Sequence, residues 1–292
     1  NMQLKSLPFV ASIPPVHCIK NLQVHSPSFF ILPRISRSNS KSTISCQCIG
    51  DELASSKKED PNSLVASHNV PSERSNTWIL MAIYMFNLHI PFGVGGLSIA
   101  SYVLQKPSLD PEAQALSLLV FQIIELTASF ILLNSNVKHI EKENVREGRN
   151  WILASAVGFF AVLLSVFLIS VVDEAFGFKE VSNNVVKEML SSSPIGRSAC
   201  VIVYCFVTPL LEELIYRRFL LKSLASTMSW QNAVLISSLS FSAAHFSSDN
   251  FVYLFAIGYV LGCCYIWTGR LVSSFSVHSL YNALILIISY LS

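Results

Sequence analysis

The chain has 292 residues, 52% of them hydrophobic and 13% charged, with a net charge of +2. Soluble domains carry about 25% charged residues, so this composition points to a protein dissolved in lipid. The charge is uneven: residues 1–50 hold five Lys/Arg and no acid, and the remainder is net negative, which excludes a nucleic-acid-type basic patch.

Residues 1–50 also hold nine serines and several prolines. Basic, serine-rich and acid-free is the composition of an organelle transit peptide, here of the plastid kind, with a merely disordered tail as the alternative. Residues 51–77 are polar and read as a linker. A membrane domain over 78–292 follows. Apolar spans fall at about 78–104, 113–133, 151–172, 198–221, 231–246, 251–268 and 271–291. Some 20 apolar residues cross a bilayer as a helix, so the expected fold is an all-α polytopic membrane bundle. It has about seven transmembrane helices (six to eight) and a polar cavity inside the membrane. In the first span, Asn87 and His89 precede Pro91 and mark an unwound patch, with substrate contact as its functional reading. Asp110 before Pro111 reads as the cap of the second helix. Glu125 lies alone among apolar neighbours in that helix and reads as a bond to a facing helix, with a bearing on the cavity as the alternative. The segment 173–197 has room for an interfacial amphipathic turn. Gly258 and Gly262 are spaced for close helix contact. The seven cysteines follow no metal-ligand spacing. The Lys/Arg excess in loops places the N-terminal side in the cytoplasm-equivalent compartment.

The fourth span carries the chemistry. It reads P-L-L-E-E-L-I-Y-R-R-F-L-L from Pro209 to Leu221, two adjacent acids and paired arginines in an apolar run. A charge at the bilayer centre costs roughly 3 kcal/mol on insertion scales, which marks a working site; the alternative is an acid–base cluster at a helix end. Glu213 and Arg217 are spaced i,i+4 with the acid first, the better order for an ion pair. Glu212 projects about 100° around the helix from them and suits a general base. His245 ends the fifth apolar run, and His278 and Asn282 share a face of the last. An acid, two imidazoles and a carboxamide on separate apolar helices meet only inside a bundle. Glu212 and His245 would hold and deprotonate a water. His278 and Asn282 would donate to the developing oxyanion.

These residues stand in three ordered motifs: E-E-x-x-x-R at Glu212, Glu213 and Arg217; F-x-x-x-H at Phe241 and His245; H-x-x-x-N at His278 and Asn282. The stretch from about 195 to 291 resembles the CPBP intramembrane proteases, the CAAX-protease and Abi group. The resemblance implies a helical bundle with a water-filled catalytic cavity, endopeptidase activity, and Glu212 as the water-activating acid. It does not type the first 190 residues.

The expected mechanism needs no cofactor. If a metal is used, Glu212, His245 and His278 would supply a two-histidine, one-carboxylate zinc set, although H-E-x-x-H is absent. The expected partners are the lipid bilayer and a membrane protein or peptide substrate, in a chloroplast envelope or thylakoid membrane. The competing function is a non-proteolytic chaperone or assembly factor for plastid membrane proteins. A transporter would also account for buried charges, but no paired repeat halves support one.

Overall fold

The computed structural model describes residues 70–140, 150–176 and 184–291; the expected leader and the linker up to residue 69 lie outside these. Among the described residues every regular element is helical. Six stretches are long and apolar enough to cross a bilayer: Thr77–Val94, Pro111–Leu133, Trp151–Ala175, Pro194–Ala225, Phe251–Thr268 and Leu271–Leu291. This is the lower end of the six-to-eight range. The seventh candidate is helix α9 below, whose 15 residues extend about 22 Å, short of the roughly 30 Å hydrocarbon core.

The first apolar run is not one uniform helix. Helix α1 (Val70–Tyr84) widens into a π-helical stretch, Met85–Val94, and the chain bends at Gly95 before α2 (Gly96–Val103). Pro91 lies inside the π stretch and has no N–H for the α-helical ladder. Gly95 N–H donates five residues back, to the Ile90 carbonyl at 2.8 Å. The patch expected to be unwound is therefore a helix of wider register. Helix α3 (Pro111–Ile140) follows, with Ala113 N–H donating to Asp110 Oδ2 at 3.2 Å, the expected cap.

Helix α4 (Trp151–Phe176) is apolar on both faces. Val162 and Val166 are buried, while Phe160, Leu164, Phe167 and Val171 are exposed. An all-round apolar helix suits hydrocarbon, where an outward Phe costs nothing. Helix α5 (Asn184–Ser191) is the amphipathic segment expected before the fourth span, and it buries Val186, Met189 and Leu190. Helix α6 (Pro194–Ile202) starts with Pro194 at its first position and Ser193 as its cap. The chain then continues through a π stretch Val203–Val207, α7 (Thr208–Glu213), a second π stretch Leu214–Leu221 and α8 (Lys222–Ala225). Helices α9 (Trp230–Ala244), α10 (Phe251–Thr268) and α11 (Leu271–Leu291) complete the bundle. α10 packs on both α9 and α4, and α11 packs on α4 and along the first π stretch of the fourth span.

The glycine pair of α10 sits where α9 crosses. A Cβ on Gly258 would lie 3.0 Å from Phe241 Cδ1 and 3.4 Å from Ser238 Cα; one on Gly262 would lie 3.1 Å from Val234 Cγ1. A Gly258→Val variant forces the Phe241 ring to move, and overpacking of this kind costs about 1–3 kcal/mol. A lower melting temperature in detergent micelles is the expected outcome. An unchanged melt would show that the contact is loose.

Candidate active site

Three helical stretches bring the site together: α7 with the π stretch after it, the C-terminal end of α9, and the middle of α11. Glu212, Glu213, Arg217 and His278 are all buried. Burying four titratable side chains is tolerable only where they partner one another.

Arg217 and Glu213 form the core of that partnership. Arg217 Nη1 lies 3.0 Å from Glu213 Oε1, one helical turn apart, as the i,i+4 spacing predicts. Arg217 Nη2 donates to the Gly258 carbonyl at 3.2 Å. The guanidinium carbon stands 4.6 Å from the Phe241 ring centroid, a cation–π contact that solvates the charge without water. Glu213 Oε1 also receives His278 Nδ1 at 3.1 Å. A carboxylate accepts, so this ring nitrogen carries a proton. The i,i+4 pair thus orients a histidine 65 residues away.

His245 is oriented by its own helix. Its Nδ1 lies 2.7 Å from the Phe241 carbonyl one turn back. The carbonyl only accepts, so Nδ1–H donates, and the neutral ring presents Nε2 as a bare acceptor. The Phe241 ring stacks edge-on to His245 with centroids 4.7 Å apart, and to His278 at 6.1 Å. Both ends of the F-x-x-x-H motif therefore have a physical role: Phe241 supplies the carbonyl, the ring face for Arg217 and the spacer between the two imidazoles.

Glu212 faces both histidines. His245 Nε2 is 3.6 Å from Oε1 and His278 Nε2 is 3.6 Å from Oε2. These separations exceed a good hydrogen bond and match polar groups that share a bridging water. A small cavity, with room for about one water, opens here, lined by Glu212, His245, His278 and Asn282 together with Tyr204, Thr208, Tyr281 and apolar side chains.

Asn282 is held by a consequence of Pro209. In the π stretch, Thr208 N–H donates to the Val203 carbonyl, five residues back. In that register the donor facing the Tyr204 carbonyl is residue 209, a proline without an N–H. Asn282 Nδ2 donates to that carbonyl instead, at 2.8 Å. One amide hydrogen is used, and an Asn amide has two.

All four residues named for catalysis line this one cavity, and both residues named as supports lie behind it. Among the described residues, no group of three or more His, Cys, Asp or Glu side chains is arranged to hold a metal ion. Asn87 is not at the site: it is exposed, and its Nδ2 donates to the Ile83 carbonyl. Glu125 and His89 do meet, in a buried network that the sequence left unconnected. Reading the sequence also missed Thr208, Tyr204 and Tyr281 as lining residues. Pro209 was the one available signal, since a proline in mid-span implies a carbonyl needing another donor.

Residues 194–284 match the family model described as "Type II CAAX prenyl endopeptidase Rce1-like". The chain is 27% identical over 189 residues to the membrane-embedded CAAX protease MroQ of Staphylococcus aureus (strain USA300), covering 61% of this chain and 74% of that protein. It is 24% identical over 176 residues to the putative membrane peptidase YdiL of Bacillus subtilis (strain 168), covering 58% and 70%. No solved structure matches. The matched segment runs from the first turn of α6 into α11 and contains all three motifs, and it is through this segment that the chain is similar to the CPBP family of CAAX-type membrane proteases.

Proposed function

We propose that the protein is an intramembrane endopeptidase in which Glu212 and His245 activate a water for attack on a peptide carbonyl. The observation that carries this reading is the pair of 3.6 Å gaps separating Glu212 from His245 and His278. A water between Glu212 Oε1 and His245 Nε2 donates one hydrogen to each acceptor and turns its lone pair toward the cavity. As its oxygen bonds to the scissile carbon, its proton passes to this acid–imidazole pair. The carbonyl oxygen becomes an oxyanion. The second Nδ2 hydrogen of Asn282 and Nε2–H of His278 donate to it. For Nε2 to donate while Nδ1 donates to Glu213, the His278 ring must carry both protons. The cluster is then neutral: Glu212 and Glu213 against Arg217 and His278. The carbon–nitrogen bond breaks as the pair returns that proton to the leaving amine, which leaves a carboxylic acid and a free amine; the acid then gives up its remaining proton to water.

The substrate in this reading is a membrane protein or membrane-bound peptide whose chain reaches the cavity. The test is to compare the protein termini of membranes carrying the wild type with those carrying Glu212→Gln. Precursor termini that accumulate only with the variant would name the substrates. No difference at equal abundance of the protein would remove the protease reading and leave a chaperone or assembly scaffold.

The mechanism uses no metal. Purified enzyme is therefore expected to keep its cleavage rate in 1,10-phenanthroline. Loss of activity that added Zn²⁺ restores would assign Glu212, His245 and His278 to a zinc instead. For location, we read residues 1–50 as a plastid transit segment. A fluorescent protein fused behind them is expected to enter plastids.

A further inference from the structure

Next to the catalytic cavity lies a second buried acid–base cluster. Glu125 of α3 is fully buried. Its Oε1 accepts from Tyr84 OH at 2.9 Å and faces His89 Nδ1 at 3.0 Å; its Oε2 accepts from Gln122 Nε2 at 3.3 Å. Tyr84 and Gln122 are donors to it, and the Tyr84 hydroxyl also lies 3.2 Å from His89 Nδ1, so acid, phenol and imidazole form one network. The other ring nitrogen of His89, Nε2, lies 3.3 Å from the Ala244 carbonyl. A carboxylate and a carbonyl both accept, so both ring nitrogens donate and His89 is an imidazolium. The cluster is an ion pair between the π stretch of the first span and α3. A Cβ on Gly93 would come within 3.0 Å of both Glu125 Oε2 and His89 Nδ1, so a glycine leaves the room for the pair.

What the pair does follows from the residue it touches. A helix leaves its last four carbonyls without intrahelical donors. At the end of α9 these belong to Phe241, Ser242, Ala243 and Ala244. His245 Nδ1 serves Phe241, His245 N–H serves Ser242 and Phe246 N–H serves Ala243. The fourth, directly before the catalytic histidine, takes its donor from His89, 155 residues away. A cation at a helix C-terminus is also favoured by the helix dipole. Phe246 turns the chain with φ of 50°, a left-handed conformation that costs a non-glycine residue about 1–3 kcal/mol and persists only where the surroundings impose it. On the other side, Gln122 Oε1 accepts from Thr208 Oγ1 at 3.4 Å, one turn before Glu212.

We propose that His89 and Glu125 are positioning residues for the reaction: they clamp the C-terminal end of α9 and thereby set His245 against Glu212. Glu213 with Arg217 orients His278, and Glu125 with His89 orients His245, so each catalytic imidazole is braced by its own buried ion pair. The inference rests on the protease reading of the site.

The test is a double-mutant cycle in the full-length protein: His89→Gln, Glu125→Gln and the pair, with Glu212→Gln as reference. Melting temperature in detergent micelles, amide exchange of peptides covering 241–249, and cleavage in liposomes of a substrate named by the termini comparison are each measured. Each single change leaves a buried charge unpaired and is expected to lower the melting temperature, while the double change restores most of it. Exchange at 244–247 is expected to rise in both variants lacking His89. kcat is expected to fall about tenfold to a hundredfold in the double variant despite its recovered stability, with KM within about twofold, as for a misplaced catalytic group. A double variant with wild-type kcat, or unchanged exchange at 244–247 in His89→Gln, would overturn the proposal. If Glu212→Gln cleaves normally, the protease reading fails on its own, and the exchange measurement still decides whether His89 holds the end of α9.

Discussion

An Arg217→Met variant is expected to lose about 3–5 kcal/mol of stability, the usual cost of breaking a buried ion pair from one side. Arg217 is 1% exposed and Glu213 is fully buried, so no water reaches the acid left behind. Two further contacts go with the guanidinium, the Gly258 carbonyl and the Phe241 ring, and the charge balancing Glu213 beside His278 goes too. Methionine nearly matches the arginine stem in volume, so the loss reports the charge and its hydrogen bonds more than a cavity. The double variant Arg217→Met with Glu213→Gln is expected to recover a large part of the stability, because neither charge then remains buried alone. It is not expected to recover cleavage, since Glu213 Oε1 also fixes His278 Nδ1. Thermal unfolding of the purified protein in one detergent checks the first claim, and a loss below about 1 kcal/mol, the scale of an exposed pair, would contradict it.

Asn282→Ala is expected to lower kcat about 10²–10³-fold with little change in KM, the loss seen when one oxyanion donor is removed. The same substitution withdraws the donor that Asn282 supplies to the Tyr204 carbonyl at 2.8 Å. An unsatisfied buried carbonyl costs about 1–3 kcal/mol, so a modest fall in melting temperature accompanies the kinetic loss. Asn282→Asp separates the two contributions. A carboxylate donates to neither the Tyr204 carbonyl nor an oxyanion, and its charge would oppose the negative transition state, so kcat should fall further than with alanine. An aspartate variant as active as wild type would place the oxyanion elsewhere in the cavity.

Much of this molecule is local and therefore legible in the sequence. The span lengths follow from runs of apolar residues and the 1.5 Å rise of a helix. Asp110 caps α3 because its side chain reaches an amide three residues on. Glu213 and Arg217 meet because four residues is one helical turn. His245 reaches the Phe241 carbonyl for the same reason. Even the amphipathic α5 can be read from its own eight residues. Where the reading fell short, the cause was also local. The run 231–246 counts as a span by hydropathy, though a short one that could end within the protein, and α9 has only 15 residues and ends at Ala244.

Tertiary structure decided whatever depended on register and on contacts between distant segments. Hydropathy does not distinguish an α turn from a π turn, since an apolar run reads the same in either register. The π stretches at 85–94 and 203–207 nonetheless place His89 toward Ala244 and direct the Tyr204 carbonyl to Asn282. Glu125 read as a solitary acid because two of its three partners, Tyr84 and His89, lie outside its own helix. By itself the sequence determined which residues must lie within the membrane and which acid could pair along its own helix. Only the packed bundle decided which imidazole each carboxylate faces, because a buried charge finds its partner through space, and helix–helix register is set by side-chain packing that no single helix encodes.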